Sequence, residues 1–310
     1  MRVWKILIFS TVAMFCNNFA YALTSNTVAV FYPDSAEPYR SIYQDIIKGG
    51  SHVSLNKRPP ITLKPFLLDK NFKIDEISNQ LRREHINNVI VLGRLGYRLA
   101  KSLPKEFNVV SGALPISPNG VSGISLISDP AYLFDYLSQV APDVKHVHIA
   151  YSKRSDWIIK LAITAAKERG LTLDLKKVQN TKEAINFYQK LFRSKIPKTE
   201  AIWLPLDRIS SHDKIILPFV LEKAWSQDVV VFSSKPSHAK RGVLFSTYPD
   251  NYTLGENLFN MLDELEKHPE QRRFAALSSL KLAVNLRTAT HLGLKYSRKQ
   301  KQDFKLTFPK

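Results

Sequence analysis

Hydrophobic positions along this chain alternate between two rhythms. Short β-branched runs, several of them apolar throughout, lie at 27–32, 61–68, 88–92, 107–110 and 123–127, and the series continues at 146–151, 171–178, 201–204, 229–232 and 243–247. Consecutive apolar positions suit a strand covered on both faces. Between the runs, apolar residues return every three to four positions, which predicts helices at 131–140, 155–169, 181–192, 213–226 and 251–267. Local signals agree. Asp129-Pro130 offers a cap and a first-turn proline to the first of these helices, and Gly170 stands where a helix end favours glycine. Strand alternating with helix predicts an α/β protein with parallel sheets of βαβ units. Pro115, Pro118, Gly120, Gly123 and Pro130 cluster near 114–129 before the rhythm restarts, so two lobes are expected.

Composition changes this picture first at the amino end. Arg2 and Lys5 precede an apolar run from Ile6 to Phe15, and Ala20-Tyr21-Ala22 follows, the order of a cleavable secretory signal over residues 1–22. That run is shorter than the roughly 20 residues a bilayer span takes. The one cysteine, Cys16, lies in this segment behind Met14 and Phe15, which argues against a lipid anchor. Cleavage after Ala22 is expected to release a cysteine-free periplasmic protein held by its own core.

Charge is lopsided. The chain carries 45 Lys and Arg against 27 Asp and Glu, and without Arg2 and Lys5 the balance is +16. Such a surface favours anionic partners. The basic residues are nevertheless spread along the chain, and export sets nucleic acid aside as a partner.

Common catalytic signatures are absent. No phosphate loop and no G-x-S-x-G elbow occurs. Ser211-His212-Asp213 sets triad residue types side by side, but triads assemble in space, and Ser210 or Ser211 reads as the cap of the helix expected at 213. His146 and His148 share one strand face without a visible third metal ligand. The chain is read as neither an enzyme nor a holder of metal or cofactor. More informative are the segments past the strand ends, where open parallel sheets bind ligands. Residues 33–39, 93–97, 152–157, 205–208, 233–237 and 248–251 mix hydroxyls, aromatics and charges with helix starts.

Several segments in order carry a family resemblance. They are Asn87 to Gly93, Gly120 to Ser125 (GVSGIS), Leu137 to Tyr151 (LSQVAPDVKHVHIAY), Ala201 to Asp207 (AIWLPLD), and Asn285 to Ala289 with Leu292-Gly293-Leu294. From about residue 27 to 295 the chain resembles the substrate-binding proteins of ABC transporters with the type I periplasmic-binding fold, in the tryptophan- and tyrosine-type branch.

The resemblance implies two Rossmann-like lobes joined by three hinge crossovers. Residues 23–125 with about 250–284 would form the N-terminal lobe, and 126–249 with about 285–310 the C-terminal one. The implied ligand-binding residues are Asp34, Tyr39, Arg94 and Leu95 from the first lobe. From the second come Ser152, Arg154, Trp157, Asp207, Lys235 and Ser237, with Asp250 at a crossover. The implied partners of this monomer are a small-molecule ligand and an ABC permease in the inner membrane. The alternative is a membrane sensor, with the chain as an accessory subunit of a receptor kinase or outer-membrane transporter. Two departures, a shortened segment after 110–114 and Arg94 where the family usually places a small hydroxyl, argue against an aromatic amino-acid ligand, and with Arg154 as a further cation they leave room for a more anionic solute or for a protein that has lost transport function.

Overall fold

Two sheets organise the chain in a computed structural model that describes residues 26–309. The export signal expected at 1–22 lies outside the described residues. The chain opens with β1 (Thr27–Pro33), α1 (Tyr39–Leu55), β2 (Thr62–Leu68), α2 (Ile74–Arg83), β3 (Asn88–Leu92), α3 (Gly93–Ser102), β4 (Asn108–Leu114) and β5 (Ser122–Ser128). It continues through α4 (Pro130–Val140), β6 (His146–Tyr151), α5 (Asp156–Glu168), β7 (Thr172–Lys177), α6 (Thr181–Leu191), β8 (Glu200–Leu204), α7 (Ile216–Gln227), β9 (Val230–Ser233), α8 (Ser237–Arg241) and β10 (Phe245–Pro249). It closes with α9 (Asn251–Lys267), β11 (Phe274–Leu277), β12 (Leu280–Asn285), α10 (Leu286–His291), α11 (Arg298–Asp303) and β13 (Leu306–Phe308).

The described strands form a six-stranded sheet, β11-β5-β4-β3-β1-β2, and a seven-stranded sheet, β13-β12-β10-β9-β8-β6-β7. Pairing is parallel except between β10 and β12. Each sheet is covered on both faces, which is why its strands read as unbroken apolar runs. Along β1, Val28 and Val30 join Ile90, Leu92 and the α9 residues Leu254 and Leu258 on one face. Ala29 and Phe31, one residue out of phase, join Leu81, Val89, Val91 and Leu99 under α2 and α3 on the other. The second sheet repeats the plan. Val147 and Ile149 face α4 and α5, while Ala150, Ile202 and Leu204 face α6 and α7.

On the first sheet α1 and α9 pack against each other with backbones in contact. A Cβ at Gly49 would fall on the Tyr252 carbonyl oxygen, and one at Gly255 on the Ile46 carbonyl oxygen. The glycines that weaken α1 as an isolated helix are therefore what lets α9 lie on it.

Between the sheets the chain passes three times, at Asp129, at Asp250 and at Ser278-Ser279. The passages are tied together. The Asp129 amide donates to the Leu277 carbonyl and the Asp250 amide to the Ser279 carbonyl, both at 2.9 Å. The Ser128 and Thr247 hydroxyls are 2.9 Å apart. Asp129 and Asp250 each cap the helix that follows, accepting from Ala131 and Thr253.

Four local outcomes differ from the sequence reading. Helices α1, α2 and α3 were not assigned from periodicity: α1 is interrupted by its glycines, and the other two show few apolar positions among many charges. Helix α7 starts at Ile216 rather than 213, with Ile215 at its cap position. Ser210 and Ser211 therefore do not cap it; their hydroxyls are buried without a hydrogen-bond partner. Strand β12 pairs with β10 in the second sheet, Phe245 opposite Val284, whereas residues to about 284 were expected with the first. Finally, β4 and β5 are parallel neighbours joined by residues 115–121 alone, where such a connection normally takes a dozen or more. The link fits because the register slips, Val110 pairing with Ser122 and Leu114 with Ser125, around Ala113 at φ 60°.

Candidate functional site

Asp207 follows β8 at the carboxyl end of the second sheet and is 7 % exposed. Its Oδ2 accepts from the Ser152 amide at 2.8 Å, the Ser152 hydroxyl at 2.7 Å and the Ser155 hydroxyl at 2.7 Å. Its Oδ1 accepts from the Ile209 and Ser210 amides at 2.8 and 3.1 Å. Burial by itself pushes this carboxyl up, and the bonds from Ser152, Ser155 and Ser210 outweigh it, leaving Asp207 below the ordinary carboxylate range. The anion is thus held by five donors of its own chain. It staples the loop after β8 to the loop after β6, and so fixes the start of α5.

Beside this staple lies a cavity of about 780 Å³ lined by Ser152, Lys153, Arg154, Lys177, Gln179 and Ile209, with Val178 and Glu183. Lys177 is paired with Asp156 at 2.6 Å, and Glu183 accepts from the Gln179 amide and Asn180. Lys153 and Arg154 are exposed. The loop that carries them touches the first sheet's side of the molecule, since the Ser117 hydroxyl of the β4–β5 link donates to the Arg154 carbonyl at 3.3 Å. Trp157, at the start of α5, meets Phe274 of β11 edge-on with centroids 5.9 Å apart; its indole nitrogen is buried without a partner.

The loop after β9 is bound up differently. Lys235 is in contact with Asp213, whose Oδ1 lies 2.9 Å from Nε2 of His238. His238 Nδ1 lies 2.8 Å from the Ser233 hydroxyl. Burial raises the Asp213 carboxyl, but Lys235 and His238 overcome that and bring it down to about 2. Burial pushes the His238 imidazole down, against the pull of Asp213. Hydroxyl, imidazole and carboxylate here stand in triad order, yet Ser233 and His238 are fully buried, beyond the reach of a substrate. Ser237 is exposed at the start of α8.

From the first sheet, Asp34 is exposed 3.8 Å from Arg40, and Tyr39 is 61 % exposed at the first turn of α1. Arg94 is exposed at the start of α3, just after Gly93 at φ 69°. Leu95 turns into the apolar layer with Phe31 and Leu99. Asp250 pairs with Lys281 at 3.0 Å.

Sequence reasoning held Lys153 and Ser155 only as members of the 152–157 loop without singling them out, and it missed Ser117, whose partner lies far along the chain, and Gln179 on the cavity wall. A lysine directly before a candidate arginine was the available signal. His148, weighed with His146 as a metal pair and set aside, sits between Asp174 at 2.9 Å and Glu200 at 2.6 Å, and no group of three potential ligands positioned for a metal occurs among the described residues.

A family model described as ABC transporter substrate binding protein matches residues 90–301, more than half of the chain. The match begins after the loop that holds Asp34 and Tyr39. No curated protein sequence matches. Among solved structures, the chain is similar to the ligand-free, open form of CD0873, a substrate binding protein with adhesive properties from Clostridium difficile. Identity is 15 %, coverage 88 % of this chain and 96 % of that one, and TM-score 0.57. It is also similar to an ABC domain in complex with L-Trp from Streptococcus pneumonia, with 20 % identity, 91 % and 100 % coverage and TM-score 0.48. A conserved domain protein from Vibrio cholerae follows at 15 % identity, 91 % and 99 % coverage and TM-score 0.48. The architecture is the type I periplasmic-binding fold, two Rossmann-like lobes with mostly parallel sheets. No helix among the described residues is long and apolar enough to cross a membrane.

Proposed function

The chain belongs to the ABC transporter substrate binding proteins, and from that premise we propose that it is the periplasmic solute-binding component of an ABC importer, taking a small polar or anionic solute between its lobes. The observation that carries this reading is the cavity of about 780 Å³ at the carboxyl ends of β6 and β7, beside the Ser117–Arg154 contact from the other lobe. Parallel sheets present ligand-binding loops at that end. The lobes divide on the three passages, and rotation there is the hinge closure a permease would read. Arg94, Ser152, Arg154 and Trp157 contact solute in this reading, Asp34, Tyr39 and Ser237 guard the rim, and Asp207 and Lys235 hold the loops in place.

The test is a thermal-shift screen of the purified mature protein across amino acids, nucleosides and organic anions. A saturable rise in Tm with one class supports solute binding. Flat curves from a folded protein defeat it. Intact mass of the exported protein checks cleavage after Ala22. The shortened β4–β5 link favours a second reading, an accessory subunit of a membrane sensor. Pull-down from membranes separates the two: recovery of an ABC permease supports import, and recovery of a receptor kinase supports sensing.

A further inference from the structure

The charged groups at the strand ends fall into two unequal sets. Every carboxylate there is already engaged. Asp207 is taken by five donors, Asp156 by Lys177, Asp213 by Lys235 and His238, and Asp250 by Lys281. Glu183 accepts from Gln179 and Asn180, and Asp34 lies beside Arg40. The cations Arg94, Lys153, Arg154 and Arg208 are all exposed, and no hydrogen bond or ion pair of their side chains occurs among the described residues. Two of them, Lys153 and Arg154, line the cavity; Arg94 follows β3 on the other lobe.

A free amino acid presents a carboxylate and an ammonium, so its site must supply a cation and an anion. This chain has unengaged cations and no unengaged carboxylate on the cavity wall. The aspartate placed to receive an ammonium, Asp207, has no lone-pair direction to spare once five donors point at it. Closing the lobes over a zwitterion would also leave a cation of the Arg94, Lys153 and Arg154 set out of water beyond what its single carboxylate can pair, beside an ammonium that repels it, which is costly unless a further negative charge is present. We infer that the solute is a multiply charged oxyanion without an ammonium group, a di- or polycarboxylate or a phosphate ester, gripped between Arg154 and Lys153 on one lobe and Arg94 on the other. This rests on the cleft being the solute site.

The experiment is calorimetric titration of the mature protein with succinate, citrate and glycerol 3-phosphate, alongside L-tryptophan, L-tyrosine and L-lysine. Saturable binding of at least one anion is expected, and the carboxylate and phosphate arms identify its source. Its affinity should weaken as salt rises, because exposed cations are screened. Arg154→Gln and Arg94→Gln, both exposed positions whose variants should keep the parent Tm, are each expected to weaken that binding by at least about 30-fold. Unchanged affinity in both variants overturns the grip. Binding of an amino acid with the anions silent overturns the charge inference while leaving the cleft as a solute site. Silence from all six probes in a folded protein, with a hit in a wider screen on a solute that is not a multiply charged oxyanion, overturns the oxyanion alone, whereas a hit there on another such oxyanion supports it; silence there too removes the cleft reading with it.

Discussion

Asp207→Ala separates a loop staple from a ligand contact. The substitution leaves the Ser152, Ile209 and Ser210 amides and two hydroxyls without their acceptor. Hydrogen bonds to a charged group contribute about 1.5–3 kcal/mol each. Five do not simply add, because burying the carboxylate costs several kcal/mol and water from the adjoining cavity can replace part of what is lost. Removing one partner of a buried charged network typically costs about 3–5 kcal/mol. For a unit of lobe size, each kcal/mol moves Tm by about 2–4 °C, so a fall of about 6–20 °C is expected. Asp207→Asn keeps an oxygen for Ile209 and Ser210 but turns an NH₂ toward the Ser152 amide, and it should fall at least half as far. The measurement is a calorimetric scan without ligand, paired with titration of whichever solute binds. A Tm within about 1 °C of the parent, together with lost binding, would refute the staple and return Asp207 to the ligand.

Acidification tests the Asp213–His238 pair. His238 titrates below its ordinary 6.5, so the unfolded chain binds the proton first and stability is lost as pH falls below that value. Asp213, brought to about 2 from 3.8, adds a second loss between those values. Tm should therefore be level above about pH 7 and step down twice on acidification; His238→Gln should erase the upper step, and a step that survives it sinks the assignment. Gly255→Ala puts a methyl against the Ile46 carbonyl and should lower stability by at least about 1–3 kcal/mol in urea titration, although alanine is the better helix former; a gain would show that α1 and α9 can separate at no cost. Trp157→Phe removes the buried, unpartnered indole N–H while keeping the edge-on contact with Phe274. It should leave Tm within about 1 °C or raise it, and a large fall means that the N–H is satisfied by a group arriving from solution.

Strands were legible wherever both faces are covered. β3 is buried at all five positions, and its apolar run marks it without further help. Helix α2 was hidden because Ile77 and Leu81 are its only buried large apolar residues. The candidate loops were legible by position, since whatever follows a parallel strand lies at the binding end. What each side chain does there was not. Asp207 reads as a ligand contact until Ser152 and Ser155, 55 and 52 residues earlier, are seen to occupy it. Lys235 reads as a free cation until Asp213, 22 residues away, is found against it. Pairing of this kind is set by the register of neighbouring strands and leaves no trace in local spacing. Arg94 differs from these, since no acid stands near it in the sequence and no ion pair of its side chain occurs among the described residues.

The contact of α1 with α9 also bears on how the chain comes to be folded. Lys57 and Asp263, joined across that contact, are 206 residues apart, and β11, the edge of the first sheet, follows later still. The part of the molecule that is synthesised first is therefore completed only after most strands of the second sheet have been made. While the second sheet assembles, β3 and β4 hold an apolar face, Ile90, Leu92 and Val110, that α1 alone covers only in part, and closing so long a loop is slow. A nascent chain halted before residue 251 would present that face to whatever is nearby. Keeping it from aggregating falls to the cell's holding factors until α9 arrives.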